Sequence, residues 1–579
     1  MKLRTSDLSC GSSADGLIRL AGSHPYLCTL AVCLLLNAFS FGAIWNVTSN
    51  GLFAGFCAVY AAAAYGVYCK YKSGVYRKKQ AELLAAIYLA LDLAAAALYS
   101  RSENKGLWLI AGGCAAVMLF YSFAKTDRFR MQLDSLLIMG TGFFIKYGYV
   151  LYTSIYSRQH DVGYFGGEDS HAGYIDYLLN NHRLPDFDVR EVWQFCHPPL
   201  HHGICALWIY ISENIFGVDY DRARESLQTL TLFYSMCIII TSYKILRHFG
   251  LSGKALYAPL LIIAFHPAFI MFSGSINNDV LAAAFTMGAI YCALKWYDSP
   301  TVKNILKIAL CIGLGMMTKL SAAVAAIPVA LIFLIVFIRE FRRSGGKLLG
   351  QFCIFGAVCV PLALWFEIKN YILYRVPVTY VQEMDKSELQ YIGDQSFLSR
   401  ITDFSPKQFK SVFEQWIWNG DPPQSYNEYN PIIAAMKNSL FGEYINESSF
   451  GQDKITVFIC TVFFWLSVLL AALCLILGVM SLFRRCRMSG IHKLFFASFY
   501  ITMMINFYKM SADYPFTCTM NFRYITPTVT VSALFMGIFM QSFEKSKGGV
   551  TANKAITALS LAFAVLSSYI FMTVCICVQ

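Results

Sequence analysis

The sequence predicts an all-α polytopic membrane protein, and three observations predict it. Of the 579 residues, 57% are hydrophobic and only 14% charged, where a globular domain carries roughly 25% charged residues. Mean hydropathy is +0.50. Apolar stretches recur at about 20 residues, the length a helix needs to cross the hydrocarbon layer. Spans of this kind are helical because a helix satisfies its own backbone groups in lipid; the alternating short strands of a barrel are not seen.

The elements follow in order. Lys2, Arg4 and Arg19 precede an apolar run from Tyr26 to Trp45 that is too long, and lacks the small-residue cleavage pattern, for a signal peptide, so it reads as an uncleaved first span at 26–45. Further spans are expected at 51–69, 82–99, 106–124 and 134–156. Lys70, Lys72, Arg77, Lys78 and Lys79, then Lys125, Arg128 and Arg130, mark short cytoplasmic connectors, which puts the N-terminus inside as well. The net charge of +12 therefore reads as positive-inside bias, and nucleic acid is not an expected partner. Later spans are expected at 222–246, 256–273, 279–296, 304–317, 320–338, 349–371, 455–482, 491–508, 522–542 and 553–577, about fifteen in all. Arg339, Arg342, Arg343 and Lys347, then Arg484, Arg485 and Arg487, then Lys545 and Lys547, sit inside. The 19 cysteines mostly fall in apolar spans and act as small hydrophobes. Cys196 and Cys518 are placed outside the membrane, where a bridge between them is possible, and no Cys/His zinc spacing is present.

Two segments break the apolar pattern. Loop 1, about 157–221, holds six of the ten histidines: His160, His171, His182, His197, His201 and His202. Within it 198–216 is apolar, but taking it as a span would put Lys244, Arg247 and His248 outside, so it reads as a helix at the outer interface. Loop 2, about 372–454, is rich in acids and carries Trp416 and Trp418, which suggests a folded cap. Both loops fall on the extracytoplasmic side, and polar chemistry is expected there.

Five constellations are candidates. Asp161, Glu168 and Asp169 lie just beyond a span, where a falling dielectric raises carboxylate basicity; His160, His171 and Tyr174 accompany them. His197-Pro-Pro-Leu-His201-His202 starts a helix from two prolines. Its imidazoles can hydrogen-bond a substrate or cap the helix; a divalent metal on His197 and His201 is conceivable but not favoured. Ser275-Ile-Asn-Asn-Asp279 reads equally well as a polar turn with Asp279 capping the next span. Lys319 lies among apolar neighbours and needs a counter-charge, for which a lipid phosphate is suited, unless it simply snorkels. Arg523, beside Tyr524, can fork onto a phosphate or serve as an interfacial anchor.

These blocks in this order resemble the GT-C superfamily of membrane glycosyltransferases, nearest the branch of protein O-mannosyltransferases and the lipid A aminoarabinose transferase. The resemblance rests on the acids before His171, on Tyr174-Ile, Leu184-Pro185 and His197-Pro-Pro-Leu200, and on Asn278-Asp279, Thr318-Lys319 and Phe522-Arg-Tyr524. It covers about 134–545. It implies a GT-C-like helical bundle whose outer loops carry interfacial helices. It also implies a sugar moved from a polyprenyl-phosphate donor at the extracytoplasmic face, with a loop 1 carboxylate as general base on an acceptor hydroxyl and basic residues stabilising the leaving lipid phosphate. The acceptor class (glycan, lipid or protein) stays open. Relatives show Asp-Glu a few residues before the histidine, whereas here Gly167 holds the first position and Asp169 is an extra acid. The base is therefore Asp161, then Asp169, then Glu168, in order of preference.

The chain accordingly divides into a four-helix membrane module (1–130), a glycosyltransferase core (131–545) and a last transmembrane helix (546–579), in the plasma membrane. The competing reading, a transporter or flippase for a lipid-linked or polar substrate, requires charges deep within spans and broken helices near the midplane.

Overall fold

The computed structural model describes residues 10–41, 62, 65–74, 76–82, 84, 113–121, 126–157, 161–414 except 383, 388 and 389, and 428–577 except 444, 451, 452 and 545. Among them the chain is helical, with one isolated bridge, Tyr391 to Phe516, and no named strand. Two compact units are formed, residues 1–152 and 153–578.

The first unit contains α1 (Cys10–Ser23), α2 (Pro25–Ser40) and α3 (Thr126–Tyr152). Pro25 at the first turn of α2 cannot continue α1, and the two helices meet at 105°. Ile18 packs on Leu133, with Phe120 and Tyr121 beside them, and Tyr121 donates to Asp134 at 2.9 Å. The spans expected at 51–69, 82–99 and 106–124 fall largely outside the described residues.

The second unit begins with two short helices, α4 (Ser170–Asn181) and α5 (Leu200–Asn214). At 15 residues α5 is about 22 Å long, short of the roughly 30 Å hydrocarbon core. It packs along α4, as a helix of loop 1 would. Then come α6 (Gln228–His248), α7 (Lys254–Phe265), α8 (Pro267–Gly274), α9 (Asp279–Asp298), α10 (Val302–Thr318) and α11 (Ala326–Tyr374). The last helices are α12 (Pro431–Phe441), α13 (Lys454–Phe483), α14 (Gly490–Asp513), α15 (Pro527–Ser542) and α16 (Lys547–Cys577).

Five helices among the described residues are long and apolar enough to cross a membrane, or eight if each bent pair counts as one span. About fifteen were expected. Besides the N-terminal residues that are not described, a merger accounts for part of the difference. The spans expected at 320–338 and 349–371 run together as α11, interrupted only at Ser344, whose φ of −146° is non-helical. A 49-residue helix would be more than twice the length needed to cross, so the break falls where the chain must turn.

Burial separates inner from lipid-facing helices. The most apolar stretch of the segment containing α6 is 78% buried, that of α13 only 28%. Thr231 and Ser235 of α6 tie to the carbonyls of Ser273 (2.9 Å) and Phe269 (2.7 Å) on α8. Trp296 of α9, fully buried, donates to Gln351 of α11 at 2.8 Å. Loop 2 is packed, as its composition suggests: buried Arg400 donates to the Ser511 carbonyl at 2.7 Å and to its hydroxyl at 2.8 Å. Lys437 pairs with Glu428 below the surface. Trp416 and Trp418 lie outside the described residues.

Candidate active site

The loop 1 backbone is folded back on the start of α4. His171 N–H donates to the Asp161 carbonyl (3.1 Å) and Ala172 N–H to that of Val162 (2.8 Å). Asp161 and Gly163 take left-handed backbone angles, φ 57° and 66°. At Gly163 a Cβ would stand 2.6 Å from that of Ser170, so only glycine fits this turn. Asp176, on the same helix, receives Gly166 N–H at 2.6 Å and lies 3.5 Å from Arg224, which also binds Glu213 at 2.6 Å. Burial outweighs these partners and raises the Asp176 pKa.

This fold delivers Asp161 to the wall of a cavity of about 770 Å³, also lined by His171, His197, Asp279, Lys319, Glu367, Arg523 and Tyr524. Lys319 stands at the break after α10, where its extended backbone (φ −160°, ψ 129°) ends the helix and turns the side chain back along α9. Its Nζ donates to Asp279 Oδ1 at 2.6 Å. Arg523 enters from the short helical turn before α15, whose cap is the Asn521 side chain. Its Nε lies 3.5 Å from Asp279 Oδ2 and its Nη2 lies 3.4 Å from Asp161 Oδ2. Nη2 also donates to Tyr524 Oη at 2.8 Å, and Lys319 Nζ sits 5.3 Å from the centre of the Tyr524 ring. Two carboxylates and two cations thus form one chain, Asp161–Arg523–Asp279–Lys319. The two carboxylate contacts of Arg523, at 3.4 and 3.5 Å, are long for hydrogen bonds, so the arginine fork retains donor capacity toward the cavity: its Nε is buried and makes no hydrogen bond.

The histidines form the adjoining wall. His171 Nδ1 and His202 Nε2 are 2.9 Å apart, and His171 stacks on His197 with centroids 5.8 Å apart. Tyr174 stacks between His202 (4.4 Å) and Phe195 (4.5 Å). Burial pushes the pKa of His197 down to about 3 and of His201 to about 4, and holds His171 and His202 well below the usual value. All four imidazoles are neutral near pH 7 and able to donate at one nitrogen and accept at the other.

The structure therefore brings Asp161, His171, His197, Lys319, Arg523 and Tyr524 to one cavity. Tyr174 and His201 are set back: Tyr174 is fully buried in the aromatic stack, and His201 Nε2 lies 2.7 Å from the Ile276 carbonyl. Glu168 and Asp169 are exposed, and Asp169 occupies the N-cap position of α4 without a capping bond. His160 lies outside the described residues. Cys196 and Cys518 are free thiols; Cys518 Sγ faces Met384 Sδ at 3.6 Å instead.

The sequence reads Asp279 equally well as a functional turn or a cap, and it does not single out Glu367. Asp279 makes no cap; it is the shared counter-ion of Lys319 and Arg523. Its signal was the lone Lys319, which had to have a carboxylate partner somewhere. The signal for Glu367 was an acid inside the apolar run 349–371.

With this geometry in view, the comparison with known proteins bears on class. Residues 197–365 match the dolichyl-phosphate-mannose-protein mannosyltransferase family. The match supports a GT-C membrane glycosyltransferase, as the order of the sequence blocks implied. The mannosyltransferase-family stretch is less than a third of the chain. It carries His197, Asp279 and Lys319 of the cavity, while Asp161 comes from before it and Glu367 and Arg523 from after it. No curated protein matches the chain.

Proposed function

We propose that this glycosyltransferase takes a sugar, mannose by family analogy, from a polyprenyl-phosphate donor and transfers it to a hydroxyl acceptor at the extracytoplasmic face of the plasma membrane. Asp161 is the general base. The observation that carries this reading is the convergence of Asp161, Lys319 and Arg523 on one cavity inside a chain with a mannosyltransferase-family stretch.

The chemistry follows from charge. The acceptor hydroxyl gives its proton to the Asp161 carboxylate while its oxygen attacks the anomeric carbon. The bond from that carbon to the phosphate oxygen breaks with inversion. Negative charge then grows on the lipid phosphate. Lys319 and the spare donors of Arg523 are preorganised for that charge. Asp279 holds both cations in place before the phosphate arrives. His171 and His197, neutral, offer hydrogen bonds to sugar or acceptor hydroxyls. Asp161 is favoured over Glu168 and Asp169 because it lines the cavity and they are exposed.

The test is transfer from a polyprenyl-phosphate sugar by purified protein in lipid, with Asp161→Asn, Asp169→Asn and Glu168→Gln in parallel. We expect Asp161→Asn to lose about 10²–10⁴ of the rate, the usual worth of general-base catalysis, and the other two to stay within a few-fold. Undiminished transfer by Asp161→Asn sinks the assignment of the base. Donor carried across vesicle membranes without any glycosidic product would instead favour a flippase.

A further inference from the structure

A second cluster of chemistry-bearing side chains lies at the other end of α9. Asp279 opens that 20-residue helix at the cavity and Asp298 closes it, about 30 Å away. There Asp298 meets His248, the last residue of α6, and His492, in the first turn of α14. One ligand atom from each of the three lies within 4.8 Å of the others. We propose that His248, Asp298 and His492 form a divalent-cation site, with the chemistry of zinc, that clamps the ends of α6, α9 and α14.

The donor set is two imidazoles and a carboxylate, which suits zinc with water as fourth ligand. Bonds of about 2.0–2.2 Å in a tetrahedron place donors about 3.3–3.5 Å apart. His248 Nδ1 and Asp298 Oδ2 are already 3.7 Å apart, and Asp298 is exposed and free to rotate inward. That distance is too long for the hydrogen bond that would otherwise explain the pair.

His492 is the member prepared for a ligand role. Ser489 Oγ lies 2.8 Å from His492 Nδ1 while also capping α14 through the His492 N–H at 3.3 Å. With Nδ1–H donated to Ser489, Nε2 presents its lone pair, the second-shell arrangement typical of metal-bound histidine. Nε2 is buried and makes no hydrogen bond in the structure. The ring is held edge-on by Tyr297 (4.9 Å) and Phe249 (5.2 Å). The nearby Arg339 is engaged with Tyr297 Oη and Glu340, each at 3.2 Å, so its charge is partly offset.

Full-length protein in detergent, stripped with a chelator, is titrated with cobalt(II) as a spectroscopic stand-in for zinc. We expect one equivalent to give the visible bands of tetrahedral cobalt, displaced by zinc. His492→Ala and Asp298→Asn should weaken binding at least tenfold, and Ser489→Ala about 10- to 100-fold as a positioning residue. Asp298 is exposed, so Asp298→Asn keeps the test open should His492→Ala fail to fold. No bound cobalt in the wild type, or equal binding in wild type and Asp298→Asn, overturns the proposal. Sugar transfer plays no part in this readout, so it stands or falls apart from the assignment of the active site.

Discussion

Lys319 Nζ donates to Asp279 Oδ1 at 2.6 Å, across 40 residues of sequence. The pair joins the end of one helix to the start of another at the cavity wall, and Arg523 shares the same carboxylate. Breaking it by Asp279→Asn leaves two cations with one carboxylate in a buried site. Removing one partner of a buried pair costs about 3–5 kcal/mol. Asp279→Asn should therefore lower the thermal midpoint, and the double variant Asp279→Asn/Lys319→Met should recover part of that loss. A double variant no more stable than the single one would show that the two side chains are not energetically coupled.

Arg523 reaches Asp161, Asp279 and Tyr524 from one planar fork. Lysine presents a point charge and cannot hold three directions at once. Arg523→Lys is expected to cut the transfer rate at least about tenfold, the loss equivalent to about 1.4 kcal/mol of transition-state stabilisation, while the protein remains folded. Steady-state kinetics with a polyprenyl-phosphate sugar decides this; wild-type kcat and KM in Arg523→Lys would remove the arginine from the phosphate site.

The histidine wall gives a pH signature. His171, His197, His201 and His202 have folded pKa values below the ordinary 6.5, about 3 for His197 and about 4 for His201. In the unfolded chain each takes a proton near pH 6.5, which the folded site refuses. Stability is therefore full above pH 6.5 and falls as pH drops, by up to about 1.4 kcal/mol per unit for each histidine, until the folded pKa is reached. Thermal midpoints measured from pH 7.5 to 5 should decline, and His202→Phe, which keeps the stacking, should flatten the slope. An unchanged slope in His202→Phe would show that this imidazole does not set the acid limit.

Gly163 makes the turn that presents Asp161. Gly163→Ala meets both a positive φ of 66° and a 2.6 Å approach to Ser170 Cβ. We expect activity to fall more than global stability, because the loop must shift while the bundle is unaffected. Comparing the transfer rate with the thermal midpoint for this one variant checks it; a normal rate would mean that Asp161 tolerates a moved turn.

The distribution of apolar residues alone determined that this chain is a helical membrane protein, because a lipid-facing helix must be apolar along its whole length and that is visible one residue at a time. Charge placement also kept 198–216 within loop 1, and the corresponding helix is too short to cross. The lone Lys319 and the acids of loop 1 marked the site in outline. Which of three carboxylates enters the cavity was not legible: Asp161 and Asp169 are both acids in a loop, and only the left-handed turn at Asp161 and Gly163 turns one inward and leaves the other exposed. The role of Asp279 was hidden for the same reason, since an Asn-Asp turn before a helix has the composition of a cap. His248, Asp298 and His492 are separated by 50 or more residues and show no ligand spacing. Tertiary structure decided these points because opposite charges and metal ligands need only meet in space, at the ends of helices whose partners are set by packing and not by sequence distance.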